Sequence, residues 1–138
     1  MKRALLKTTD RPFGLPEESI EIVLDLPYPP STNKLWRYGN RGVFKSINYV
    51  NWLAEADATT MELKQYPKRK IHGPFAVHLA LSEDRNSDGD NAIKAALDWC
   101  QSRDLVRNDR DCRKGSWEFV SPEYAPRGLR LTLRSLHG

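Results

Sequence analysis

The chain has 138 residues, 39% of them hydrophobic, which suits one domain with a modest core. Its formal charge of +4 fits a polyanionic partner without demanding one. Two cysteines, Cys100 and Cys112, form neither a metal-ligand spacing nor a disulfide framework, and the N-terminal apolar run Ala4-Leu5-Leu6 is too short for a signal peptide or membrane span. The expectation is a soluble, cytoplasmic protein with no membrane association.

Residues 1–18 read as an irregular N-terminal arm, because Pro12, Gly14 and Pro16 interrupt any regular element. Residues 19–138 form the domain. Ile20, Ile22, Leu24 and Leu26 alternate with Glu21, Val23 and Asp25, which predicts a strand with one apolar face. The run Pro27-Tyr28-Pro29-Pro30 ends it. Ser31 to Arg37 then mixes small polar, basic and aromatic residues, and Asn40-Arg41-Gly42 can turn a short hairpin. Two readings of this stretch stand side by side. One is a phosphate-gripping and base-stacking surface using Lys34 and Arg37; the other is a solvated loop with Trp36 packed inward.

From about Ile47 to Lys64, Tyr49, Trp52, Leu53, Ala56, Thr60 and Leu63 keep a helical period, and Pro67 stops it. A basic patch of Lys64, Lys68, Arg69 and Lys70 follows in a loop. It is either a solvated charge run or, as a loop beside acidic residues, a nucleic-acid contact. Phe75, Val77, Leu79 and Leu81 predict a second strand. A helix over Ala92 to Arg103 carries an apolar stripe of Ile93, Ala96, Leu97 and Cys100. Trp117 and Phe119 suggest a short third strand, and Leu129, Leu131 and Leu133 a fourth. The order β-α-β-α-β-β predicts a single α+β (or α/β) domain, a mixed four-stranded sheet with two main helices.

The chemistry concentrates between Asp84 and Asp111. Asp88-Gly89-Asp90-Asn91 leads into the second helix, and Asn91, Lys94 and Asp98 share a face distinct from the apolar stripe. Asp109 arrives from the loop after that helix and joins them if the loop folds back. Converging carboxylates repel by roughly 4 kcal/mol per pair at about 4 Å and an effective dielectric near 20. Such a cluster therefore raises a carboxylate pKa or binds a hard divalent cation. Oxygen-only donors favour Mg²⁺ or Mn²⁺ over zinc, and such ions activate water against a phosphodiester. Lys94 can then hold a phosphate oxygen. The competing reading is structural, since Asp-x-Asp pairs also serve as turns and caps. An EF-hand is excluded: Asp84, Asn86, Asp88 and Gly89 fit its first half, but Ala95 stands where a bidentate Glu is needed, after a predicted strand.

Over roughly residues 20–134 the chain resembles the RusA family of Holliday junction resolvases. The entry Pro29-Pro30-Ser31-Thr32-Asn33 is similar to that family's Pro-Pro-Ser-x-Asn. Asp88-Gly89-Asp90-Asn91-Ala92-Ile93-Lys94-Ala95-Ala96-Leu97-Asp98 is similar to its Asp-x-Asp-Asn-x-x-Lys-x-x-x-Asp signature, with Asp109 eleven residues further on. The resemblance implies a homodimeric, Mg²⁺-dependent endodeoxyribonuclease that resolves four-way junction DNA by paired symmetric nicks during recombination and repair. It implies Asp88, Asp90 and Asp109 as metal-binding catalytic carboxylates, Lys94 as the catalytic lysine, and Asn91 and Asp98 as supporting residues. The alternative is a protein of the same fold that binds branched DNA without cutting it. The chain departs from the family before Asp88, where Asp84-Arg85-Asn86-Ser87 carries one basic residue, and at Asn108, where an acid often stands.

Overall fold

The computed structural model describes residues 20–30, 36–39, 42–85 and 89–136, with the backbone alone for 36–39 and 42–45. The arm over residues 1–18 and the side chains of Lys34, Arg37 and Asp88 lie outside what is described. The elements are β1 (Glu21–Pro27), β2 (Trp36–Gly39), β3 (Gly42–Lys45), α1 (Ile47–Glu62), β4 (Phe75–Ser82), α2 (Gly89–Ser102), β5 (Cys112–Val120) and β6 (Gly128–Ser135). The predicted hairpin is present as the antiparallel pair β2–β3.

The predicted mixed four-stranded sheet has the order β1-β6-β4-β5. β6 runs antiparallel to both its neighbours, whereas β4 and β5 are parallel. A parallel pair needs a long crossover, and α2 supplies it. The alternating leucines explain the sheet's two faces. Leu24, Leu79, Leu131 and their alternate neighbours are fully withdrawn from solvent on the helix side. Arg130 and Thr132 keep partial exposure on the other, and Arg134 is exposed. There His78 bridges Ser116 and Glu118 at 2.6 and 2.7 Å, an open-face network across β4 and β5.

Both helices lie on the apolar face and are latched to each other. Tyr49 Oη donates to Asp98 at 2.6 Å, and Trp99 Nε1 donates to Asp57 at 2.8 Å. Arg103 completes the latch on Asp57, also at 2.8 Å. Trp52 Nε1 donates to the Pro27 carbonyl at 2.9 Å, tying α1 to the end of β1. Ser46 caps α1 by accepting from the Tyr49 N–H, and Leu63 closes it before Lys64 turns left-handed at φ 57°. The helix therefore ends two residues short of the predicted Lys64.

Each fully buried large side chain, Trp99, Tyr49 and Phe75 among them, contributes about 1.5–3 kcal/mol. Exposed ion pairs such as Arg134–Glu21 and Arg127–Glu62 contribute about 0–1 kcal/mol each, so the core holds the fold. The one buried carboxylate among the described residues, Asp25, is paired with Arg130 at 3.0 Å. Its side chain also accepts from Gln65 Nε2, and its N–H donates to Gln65 Oε1, which covers the outer edge of β1.

Candidate active site

α2 organises the site. Its inward face is Ala92, Ala95, Ala96, Trp99 and Cys100, all buried. The predicted stripe included Ile93 and Leu97, which are only partly buried and flank the core. Small alanines let the helix lie close to β4 and β5, and this turns the stripe toward residues 92, 95 and 99. Gly89 enforces that approach: a Cβ there would meet the Trp117 indole at 2.2 Å. The start of α2 thus rests on the ring of a β5 side chain.

With that face inward, Asp90, Lys94 and Gln101 turn outward, and all three are exposed. Positions i, i+4 and i+11 fall on one side of a helix. Asp90 stands in the first turn, where the positive end of the helix dipole favours a carboxylate. Asn91 is half-buried beside it. Asp98 is half-buried too, and it accepts the Tyr49 hydroxyl in the latch between the helices. Burial, and then the Asp98 hydrogen bond and charge, push the Tyr49 hydroxyl well above its ordinary range. Asp98 is therefore a structural partner of α1 in this fold, a duty its sequence position does not announce.

The loop after α2 keeps Asp109 at the exit of that helix. Asp109 lies on a single 3-10 turn, Asp109–Asp111, whose start is capped by Asn108 accepting from the Arg110 N–H. The Asp109 N–H donates to Gln101 Oε1 at 3.0 Å. This fastens Asp109 beside the last turn of α2. Residues 90 and 101 are separated by about 16 Å along a helix axis, so the tether holds Asp109 toward the far end of α2 from Asp90 and Lys94 rather than beside them. Nearby, burial first and the charge of Asp109 in smaller measure push the Cys112 thiol up. The third expected carboxylate, Asp88, is outside the described residues, and among those described no group of three or more His, Cys, Asp or Glu side chains is placed to hold a metal ion.

The basic patch sits at the same end as Asp109. Ile71 bridges to Val106, and its N–H donates to the Leu105 carbonyl at 2.8 Å. Lys68, Arg69 and Lys70 thereby neighbour the exit of α2, roughly 20 Å along the helix from Asp90. Lys70 is committed to an ion pair with Asp104. Lys68 and Arg69 line two shallow clefts of about 410 and 220 Å³ on either side of Pro67. A second group of cations went unnoticed in the sequence. Arg110, Arg113 and Lys114 are exposed around the start of β5, and their signal was the interleaved run Arg107-Asn108-Asp109-Arg110-Asp111-Cys112-Arg113-Lys114.

No helix among the described residues is long and apolar enough to cross a membrane. Compared with protein-family models and with curated proteins, the chain matches none.

Proposed function

We propose that this chain is a divalent-metal-dependent endodeoxyribonuclease that acts on four-way DNA junctions as a homodimer, cutting opposed strands in paired nicks. The observation that carries the reading is the outward side of α2. The helix buries its alanines and Trp99 and leaves Asp90 and Lys94 exposed one turn apart. Acidic side chains at the start of the helix with an exposed lysine one turn on are the groups that metal-assisted phosphodiester cleavage uses. The similarity of residues 88–98 to the RusA signature supports the same reading.

The donor set fits a hard cation. The expected ligands Asp88 and Asp90 offer only carboxylate oxygens, and no imidazole or thiol stands among them. Asp88 and Asp90 would hold Mg²⁺ or Mn²⁺ at the start of α2, whereas Asp109, fastened to Gln101 about 16 Å further along the helix, does not share that ion in this fold. Such an ion, when bound, lowers the pKa of water and neutralises the leaving oxygen of a phosphodiester. Lys94 would steady the charge that grows on the phosphate. Asn91 would orient the Asp90 end, and Asp98 would act through the α1 latch.

The reading is tested by incubating the protein with a synthetic mobile four-way junction and Mg²⁺. Paired nicks that need the metal support it. Tight, metal-independent junction binding without cleavage would instead favour a branched-DNA-binding protein of this fold. Sedimentation at working concentration tests the dimer, and a monomer overturns it.

A further inference from the structure

β5 is the outermost strand of the sheet, bordered on one side only by β4. Seven of its nine residues are exposed, including two large aromatics. Trp117 is 40% exposed and Phe119 44%, and their rings meet edge to face at 5.5 Å and 77°. Both face the helix side, because they pair in register with the buried Leu79 and Leu81. Trp117 underlies Gly89, the residue before Asp90, so this aromatic pair borders the acidic start of α2.

The other end of the strand is basic. Arg113 stands four residues before Trp117, about 13 Å away by strand rise, as the extra residue where the register shifts between Phe75 and Ala76. Arg110 precedes it on the 3-10 turn, and among the described residues neither is ion-paired to a carboxylate, whereas Lys114 lies on the sheet's other face with His78 and Ser116. An exposed aromatic pair with unpaired cations further along the same strand suits a nucleic-acid strand with an unstacked base. Stacking on such a ring is tolerant of sequence, while the cations hold the phosphates.

The geometry points to the outer rim of β5 as a DNA-strand site. Phe119 and Trp117 stack one unpaired base, and Arg110 and Arg113 grip the backbone leading to it. This deepens the nuclease reading and rests on it: a branch point offers an unstacked base, and the rim would deliver the adjoining phosphate toward Asp90. Phe119 is the residue to test, since Trp117 also supports the start of α2.

The experiment measures metal-free binding of the full chain to a four-way junction, a single-stranded oligonucleotide and a linear duplex, by fluorescence anisotropy. Phe119→Ala should weaken junction and single-strand binding about 5- to 50-fold and leave duplex binding nearly unchanged. Phe119→Tyr, which keeps a stacking face, should restore it. Arg113→Gln should lower the salt slope by about one. Equal binding by Phe119→Ala and the unaltered protein overturns the site while leaving the nuclease reading standing. Failure of the unaltered protein to cut junctions, with Phe119-dependent single-strand binding intact, does the reverse. If Phe119→Ala converts a dimer to a monomer, the pair belongs to an interface between copies and the proposal falls.

Discussion

At the scale of single residues, exposure decides what each substitution can report. Lys94 is exposed and has no described partner, so Lys94→Ala should leave stability within about 0.5 kcal/mol. Junction cleavage should fall by about 10²-fold or more if Lys94 stabilises the reacting phosphate. An unchanged rate would remove Lys94 from the site. Buried titratable groups instead set an alkaline limit. Burial raises the Cys100 thiol far above its ordinary 9.0, and burial with Asp98 raises Tyr49 above its ordinary 10.0. Both groups keep their protons in the folded chain after the unfolded chain has lost them. Stability is therefore full below about pH 9 and declines above it, by about 1.4 kcal/mol per pH unit for each group fully titrating in the unfolded state. Denaturant midpoints measured from pH 8 to 11 should show this decline, and Cys100→Ala should flatten its first part.

At the scale of elements, legibility in the sequence followed burial. β1, β4 and β6 each bury one face, so their alternation was plain. β5 is exposed along nearly its whole length and shows no alternation, so only Trp117 and Phe119 hinted at a strand that spans Cys112–Val120. The sheet order could not be read, because each pairing joins segments far apart in the chain, as Glu21 with Arg134 does. In α2 the polar side was legible through spacing. The tether from Gln101 to Asp109 was not, since a glutamine–backbone bond leaves no periodic trace. The close approach of Gly89 to Trp117 likewise leaves no mark in the sequence. Gly89→Ala would ordinarily favour a helix by about 1 kcal/mol. Here the new Cβ meets the indole, and overpacking costs about 1–3 kcal/mol, so the clash wins. The variant should melt lower and cut junctions more slowly, whereas a higher melting temperature would show that α2 does not rest on Trp117.

At the scale of the whole molecule, the mild positive charge is unevenly spread. The 68–70 patch and the cations around residues 110–114 both lie toward the Asp109 end of α2, and the aromatic pair lies toward Asp90. A duplex arm gripped at the basic end and opened at the aromatic end matches that distribution. Reversing Lys68, Arg69 and Lys70 to Glu should weaken junction binding and flatten its dependence on salt, because fewer counterions are released. Unchanged affinity between about 50 and 200 mM salt would assign the patch to solvation alone. The account turns on whether the outward side of α2 cuts DNA. The decisive measurement is Mg²⁺-dependent cleavage of a mobile four-way junction by the unaltered protein beside Asp90→Asn. Paired, symmetric nicks from the first and a loss of at least about 10²-fold in the second are the predicted result. Equal cleavage by both proteins, or none by either, would contradict it.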